Sequence, residues 1–199
     1  TDHGHAANLG KKYLSRQKLC LPGMQEFWVN THQGMPYFYV TGQVNEKLQQ
    51  MIEEQIIPML IDQAHTKTSE EPLFTIVFDR EAYSPKFFGR LWEKHRIAVI
   101  TYRKNVTDKW EESDFESHKV VIEANEVAMD LAEKETELDK VKLREVRRLG
   151  TNGHQTSILT THPCLGINMI ALYMFARWSQ ENFFRYMRQD YVFDKISQY

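Results

Sequence analysis

Cysteine is scarce in this sequence, and its scarcity excludes two kinds of structure. The 199 residues contain two cysteines, Cys20 and Cys164. Two cysteines at this separation provide neither a framework of disulfide bonds nor the ligand spacing of a zinc site. We therefore expect a protein of a reducing compartment and predict that it is cytoplasmic.

Long apolar runs and leader signals are missing as well. No stretch reaches the roughly 18 apolar residues that a membrane-spanning helix needs, so we predict no membrane partner. The sequence starts at Thr1-Asp2-His3, without an initiator methionine or the charged and apolar regions of a signal peptide. We expect this start to lie inside a longer reading frame.

Strong net charge of either sign is also lacking. The formal net charge is −2, which does not indicate a nucleic-acid-binding protein by itself. Residues 105–149 carry 13 acidic and 8 basic residues, a net charge of −5, so the rest of the chain carries +3. This separation of charge allows a DNA-binding surface outside the acidic segment.

The first part of the chain predicts strands followed by a helix. Residues 19–21, 26–30 and 36–41 are short aromatic, apolar and β-branched runs separated by turn residues, which predicts an antiparallel meander of three strands. Residues 45–65 have the apolar stripe of an amphipathic helix. Pro58 is expected to kink this helix or to end its first half.

A strand, a helix and a second strand follow. Residues 73–78 are a continuous apolar run that ends at Asp79, Ser84-Pro85 begins a helix, and residues 97–102 form another apolar run. Such a βαβ unit is parallel and right-handed. Since the carboxyl ends of strands form the functional edge of an open α/β sheet, we expect Asp79 on that edge. Taken alone, Asp79 fits the role of a strand-end cap equally well.

Residues 105–163 give mixed signals. Apolar residues alternate around 120–122 and 127–131, and Asn152-Gly153 is a strong hairpin signal, so antiparallel strands are predicted. Residues 131–149 are rich in Glu, Lys and Leu, which favours helix. We predict a β-rich, mostly antiparallel insertion with room for a helix around 132–142.

The last predicted helix has an unusual distribution of charge. Tyr173 to Arg188 is dense in apolar and aromatic residues and contains neither Gly nor Pro. Arg177, Glu181 and Arg188 fall within roughly 40° of arc on this helix. Two explanations fit that face equally well. One is a ladder of ion pairs, and the other is a metal-binding carboxylate between two cations that bind phosphates.

Three carboxylates now stand out by their positions. Asp2 precedes the predicted meander, Asp79 ends the 73–78 run, and Glu181 lies between arginines on the last predicted helix. The order of predicted elements is that of a ribonuclease H-like α/β fold, a mixed sheet flanked by helices with the β-rich insertion before the last helix. That architecture carries acidic residues on its first strand, after its fourth strand and on a late helix. Clustered carboxylates of this kind neutralise two divalent cations that activate an attacking oxygen and stabilise a leaving one.

Over nearly its whole length, from Asp2 to Tyr199, the sequence resembles the DDE transposases of bacterial insertion sequences. The resemblance is carried by residues 77–81, 97–104 and 177–182. One group of that family has a late-helix signature of Tyr, Arg, Glu and Lys with gaps of two, three and six residues. Arg177 and Glu181 match the gap of three, and Arg188 follows Glu181 after six, in place of Lys. Tyr173 precedes Arg177 by a gap of three rather than two.

The resemblance implies an activity and assigns roles to residues. The chain would be a single transposase catalytic domain, residues 1–199, without the upstream DNA-end-binding region that such families usually carry. It would cleave 3′ ends of DNA and transfer the strands to a target. Asp2, Asp79 and Glu181 would be catalytic and would bind two Mg²⁺ ions, with Mn²⁺ able to substitute. Arg177 and Arg188 would hold DNA phosphates near the scissile bond, and Trp110 would insert into DNA, although Trp110 fits an ordinary core or surface position better. Arg103 and Lys104, which follow the 97–102 run, fit contacts with the DNA backbone and the solvated end of a strand equally well. The partners would be the element ends and target DNA, with a homodimer on the DNA.

Two other functions compete with this one. The first is another ribonuclease H-like nuclease, such as a resolvase or a repair nuclease. The second is an inactive, truncated relative that keeps the fold and weak DNA affinity.

Overall fold

Three separate β-sheets and the helices packed on them are seen in the structure, a computed structural model that describes residues 10–14, 18–62, 71–122 and 125–175. The chain divides into two units, residues 1–64 and 65–199. In the described part of the chain, no helix has the length and apolar character needed to cross a membrane.

The first unit contains two antiparallel strand pairs. Strand β1 (Lys11–Leu14) pairs with β2 (Leu19–Pro22), and β3 (Met24–Asn30) pairs with β4 (Pro36–Gln43). The predicted three-stranded meander is therefore wrong in its first strand, which pairs with β1 instead of β3. The sequence pattern does not predict β1, because its lysines do not fit the apolar, β-branched pattern of a strand, although lysine is common on exposed edge strands.

The hairpin of β3 and β4 has one buried and one exposed face. Phe27 and Val40 are paired and buried. Trp28 and Tyr39 are paired on the other face, where their rings stack with centroids 5.0 Å apart. This alternation is the period of two that a half-buried strand requires.

The helix of the first unit changes type just before its proline. It consists of α1 (Leu48–Met51), a π-helical turn (Ile52–Ile56) and α2 (Ile57–Ile61). Pro58 has no amide hydrogen to donate to the preceding turn, and π turns appear where the regular bonding of a helix is interrupted. The helical run therefore changes type in the turn before Pro58 and continues through it to Ile61, and the kink predicted at Pro58 stays a prediction.

The second unit is built on a six-stranded mixed sheet with the order β5-β6-β10-β9-β8-β7. Its strands are β5 (Phe74–Val77), β6 (Ile97–Tyr102), β7 (Glu116–Ile122), β8 (Asn125–Leu138), β9 (Val141–Leu149) and β10 (Gln155–Thr160). Strands β5 and β6 are parallel, and the other neighbours are antiparallel. The α/β class is confirmed, and the ribonuclease H-like arrangement stays a prediction.

The βαβ unit forms as predicted. Helix α3 (Pro85–His95) connects β5 to β6, and the Ser84 hydroxyl accepts a hydrogen bond from the Phe87 amide at 3.3 Å. The buried face of this helix includes Phe87, Phe88 and Leu91. The apolar stripe of α3 therefore offsets the entropy cost of ordering the helix by covering one face of the sheet.

Strands β7, β8 and β9 make up most of the acidic segment, as predicted, and residues 132–142, where the sequence leaves room for a helix, form no helix. Residues Asp139 and Lys140 form a two-residue loop between β8 and β9, with φ angles of 51° and 66°. Two positive φ angles define a type I′ turn, whose twist matches that of the flanking strands. The hairpin predicted at Asn152-Gly153 is confirmed between β9 and β10, with Gly153 at a φ of 74°.

A second helix covers the opposite face of the sheet. Residues 167–175, the described part of α4, place Ile170 and Met174 against Ile100, Val146 and Ile158. Successive side chains of a strand point to opposite faces, so Glu145 and Arg147 beside Val146 lie on the other face. Val141 lies on that same face, beside Gly89 of α3.

Candidate functional site

Asp79 lies at the carboxyl edge of the parallel strand pair, as predicted. The preceding residue, Phe78, donates its amide to the Ile100 carbonyl at 3.2 Å, so the chain is fixed to β6 up to that point. Asp79 then leaves the sheet with its side chain exposed. The backbone therefore places a carboxylate at the edge where open α/β sheets bind ligands.

The Asp79 carboxylate also caps a short turn. Its Oδ1 accepts a hydrogen bond of 2.6 Å from the Arg80 amide, at the start of the 3₁₀ helix Arg80–Ala82. A carboxylate has two oxygens with about four acceptor positions, so a capping bond does not exclude other contacts. Both roles considered for Asp79, a turn cap and a ligand, are compatible with this geometry.

The segments that follow β5 and β6 are linked by two crossed contacts between cations and rings. The guanidinium carbon of Arg80 lies 5.6 Å from the centre of the Tyr102 ring, at the end of β6. The Lys104 Nζ lies 5.6 Å from the centre of the Tyr83 ring, which follows the 3₁₀ turn. The Tyr83 ring in turn packs edge-on against Phe88 of α3 at 5.6 Å. The two cations and Asp79 thus share one edge of the sheet.

Tyr83 is neutral in this environment. Burial raises the pKa of its hydroxyl above the ordinary value of 10.0, and a hydrogen bond with the Lys104 backbone acts against that shift. The hydroxyl therefore keeps its proton at neutral pH, and the ring supports Lys104 without adding a negative charge.

Helix α4 reaches the same edge at the end of its described part. The Phe175 ring lies 6.4 Å from the Tyr102 ring, which also carries Arg80. Phe175 is the last described residue before the segment that contains Arg177, Glu181 and Arg188. Those three residues and Asp2 lie outside the described residues, so their predicted roles stay predictions.

Arg103 has a different environment from its neighbour Lys104. Its guanidinium pairs with Glu145, which is buried, and its amide donates to the Ser157 carbonyl at 2.9 Å. Its charge is therefore already compensated inside the sheet. Among the predicted DNA contacts in the described residues, Lys104 is the more accessible cation.

Trp110 is half-buried between two cations. The Arg147 guanidinium carbon and the Lys134 Nζ lie 4.3 and 4.7 Å from the centre of its ring. Its amide and carbonyl both bind the Gln155 side chain, at 2.9 and 2.7 Å. These contacts give Trp110 a structural role, and its contact with DNA stays a prediction.

Glu145 and Arg147 form a buried ionic cluster that sequence analysis missed. Glu145 Oε1 accepts from Arg147 Nε and from the Ser157 hydroxyl, both at 2.7 Å. Arg147 also binds Asp108, through the carboxylate at 2.6 Å and the carbonyl at 2.9 Å. Its hydrogen bond lowers the pKa of the Asp108 carboxyl below the ordinary value of 3.8. Through Asp108, the cluster holds the loop after β6 against the face of the sheet that α3 covers.

The structure does not bring a complete metal site together in its described part. Within residues 10–14, 18–62, 71–122 and 125–175, no three His, Cys, Asp or Glu side chains are grouped to hold a metal ion. Asp79 offers a carboxylate oxygen, the ligand type that Mg²⁺ and Mn²⁺ select. The donor chemistry of Asp79 therefore fits one ligand position of such an ion.

Comparison with known proteins gives a match at the level of a family. The model of a protein family described as transposase protein matches residues 2–199. No curated protein and no solved structure matches the chain.

Proposed function

Because the chain belongs to the family of transposase proteins, we propose that it cleaves and joins DNA at a carboxylate site that contains Asp79. The observation that carries this proposal is the exposed Asp79 carboxylate at the carboxyl edge of β5 and β6. Two nearby cations, Arg80 and Lys104, give the same edge an attraction for a phosphate backbone.

The residues proposed to complete the site are Asp2 and Glu181. Together with Asp79 they would supply three carboxylates, which is the oxygen-rich set that two Mg²⁺ or Mn²⁺ ions require. When bound, these ions would supply Lewis acidity and positive charge to the phosphodiester under attack. Arg177 and Arg188 would hold the phosphates on either side of the scissile bond.

The proposed reaction has two stages. Water attacks the phosphodiester at the end of the element and releases a 3′-hydroxyl. That hydroxyl then attacks a phosphodiester of the target DNA, which joins the two strands and releases a target 3′-hydroxyl. Two copies of the chain, one at each element end, would coordinate the two joining events.

Substituting Asp79 by asparagine separates the proposed catalytic role from the turn cap. The side-chain amide oxygen of the asparagine can still accept the hydrogen bond from the Arg80 amide, but it carries no negative charge for a metal ion. We expect Asp79→Asn to keep the thermal stability of the wild-type protein and to lose at least about a hundredfold in strand transfer. The measurement uses Mg²⁺ and pre-cleaved duplexes that carry the ends of the encoding element.

Glu81→Gln is the matched control, because Glu81 is an exposed carboxylate on the same 3₁₀ turn. It should leave strand transfer unchanged, whereas Glu181→Gln should reduce it as Asp79→Asn does. Wild-type activity in Asp79→Asn would refute the catalytic role. Cleavage without strand transfer by the wild-type protein would favour a ribonuclease H-like nuclease of another kind.

An inactive relative is the second candidate, and the capping bond of Asp79 is the observation that favours it. A cap needs no metal and explains why an acidic residue begins the Arg80–Ala82 turn. If the wild-type protein binds DNA but neither cleaves nor joins it with Mg²⁺ or Mn²⁺, this second function replaces the first.

A further inference from the structure

We propose that Arg80 and Lys104 together bind one DNA phosphodiester segment next to Asp79, each cation being held in position by a tyrosine ring. This inference rests on the proposed action on DNA. It assigns the contact to Arg80, which sequence analysis did not select, and it pairs Arg80 with Lys104 instead of Arg103.

Arg80 and Lys104 both present positive charge at this edge of the sheet. Arg80 and Lys104 are exposed, and no carboxylate of the described residues forms an ion pair with either of them. Contact with a ring is not peculiar to them, since Arg148 also lies over a ring, that of Phe175, but several other cations of this unit are paired with carboxylates. Those paired with a carboxylate are Arg103, Lys119, Lys134, Arg144 and Arg147.

Contact with an aromatic ring positions each of the two cations. Arg80 follows β5 but lies on Tyr102 of β6, whereas Lys104 follows β6 but lies on Tyr83 after β5. The rings hold the cations through their π faces and leave their hydrogen-bond donors for another acceptor. The rings are themselves held by helices, because Tyr83 packs against Phe88 of α3 and Tyr102 packs against Phe175 in the described part of α4.

The surface around Asp79 carries negative as well as positive charge. Asp79 and Glu81 flank Arg80 in the chain, and both side chains are exposed. Their carboxylates repel a DNA phosphate, so a strand can approach this edge only where cations offset that repulsion. Arg80 and Lys104 are placed on the edge itself, one from each strand end.

The test measures DNA affinity as a function of salt, without divalent cations. Fluorescence anisotropy of a labelled duplex of arbitrary sequence, with EDTA present, gives the slope of log Kobs against log salt concentration. Each phosphate contact contributes about 0.9 to that slope for duplex DNA. We expect Arg80→Gln and Lys104→Gln to reduce the slope by about 0.9 each and the double variant by about 1.8.

Two controls separate this contact from a general loss of charge or of fold. Arg80→Lys keeps the charge and should keep the wild-type slope. Lys94→Gln removes an exposed cation in the last turn of α3, at the other end of the strands, and should also keep it. An unchanged slope in the double variant, an equal change in Lys94→Gln, or no DNA binding by the wild-type protein would overturn the proposal.

The outcome is independent of the catalytic proposal. If Asp79→Asn retains strand transfer while Arg80→Gln and Lys104→Gln lower the slope, the phosphate contact stands and the catalytic role of Asp79 falls. If Asp79→Asn loses strand transfer while the slopes stay unchanged, the catalytic role stands and the phosphate contact falls.

Discussion

Replacing Glu145 with glutamine removes one negative charge from the interior of the six-stranded sheet while keeping the shape of the side chain. The Glu145 side chain is 2% exposed, and that of its partner Arg147 is 0% exposed. The side-chain oxygen of glutamine can still accept the hydrogen bonds of Arg147 and Ser157, but its amide nitrogen is a donor and would face the Arg103 guanidinium. The substitution therefore leaves Arg147 as a buried charge with one remaining ion-pair partner.

The size of the effect follows from what remains around Arg147. Removing one partner of a buried ion pair costs about 3–5 kcal/mol of stability. Two features moderate that cost, since Arg147 keeps Asp108 and the Arg103 side chain is 18% exposed and can be hydrated. We therefore expect a loss near the lower end, about 3 kcal/mol, which is a large fraction of the stability of an ordinary domain.

Urea unfolding followed by tryptophan fluorescence measures this loss, because Trp110 contacts Arg147 directly. Glu133→Gln is the matched control, since Glu133 of β8 pairs with Arg144 of β9 in the same sheet but is 30% exposed. We expect it to cost less than about 1 kcal/mol. Equal losses in the two variants would refute the reasoning from burial.

A second substitution tests the cause of the loss. In the Glu145→Gln background, Arg147→Met removes the buried charge that has lost its partner. Replacing both members of a buried pair by groups without charge is close to neutral in many proteins. The double variant should therefore recover part of the lost stability, and a further loss would show that packing, not charge, dominates at this position.

The parts of the fold that sequence predicts well are those in which local and tertiary preferences agree. Residues 74–77 and 97–102 are apolar almost throughout, and Ser84-Pro85 begins a helix between them, so the βαβ unit follows from local pattern. The same pattern gives the position of Asp79 at the strand end. Its environment, with Arg80 on Tyr102, depends on a contact between segments that no local pattern contains.

The errors have identifiable physical causes. Residues 132–142 have the Glu, Lys and Leu content of a helix, but cross-strand pairing in β8 and β9 overrides that preference. The turn that reverses the chain is Asp139-Lys140, which lacks the glycine by which such turns are usually recognised. The helix propensity of this segment is therefore weaker than the pairing that its neighbours in the sheet impose on it.

The buried ionic cluster was missed for a related reason. Glu145 and Arg147 lie on the same face of β9, which α3 and the loop after β6 cover. In sequence, Arg144-Glu145-Val146-Arg147-Arg148 has the pattern of a solvated strand, because charged residues are rarely buried unless they are paired. The pairing partners Ser157, Asp108 and Arg103 come from other segments of the chain, so the cluster becomes visible only in three dimensions.

Two further predictions concern residues in contact with this face of the sheet. Since Arg147 lowers the pKa of Asp108, this pair stabilises the fold above the unfolded pKa near 3.8 and loses that contribution as pH falls through the lower folded pKa. The difference in unfolding free energy between wild type and Asp108→Asn should therefore be constant near neutral pH and disappear in acid; a constant difference at every pH would contradict it. The second prediction concerns Gly89, where an added Cβ would lie 3.0 Å from Val141 Cγ2. Gly89→Ala should gain up to about 1 kcal/mol of helix propensity but lose about 1–3 kcal/mol to overpacking. In a Val141→Ala background, Gly89→Ala should raise the unfolding free energy relative to Val141→Ala alone, because the methyl group that the new Cβ would meet is gone. Equal effects of Gly89→Ala in the two backgrounds would exclude this contact.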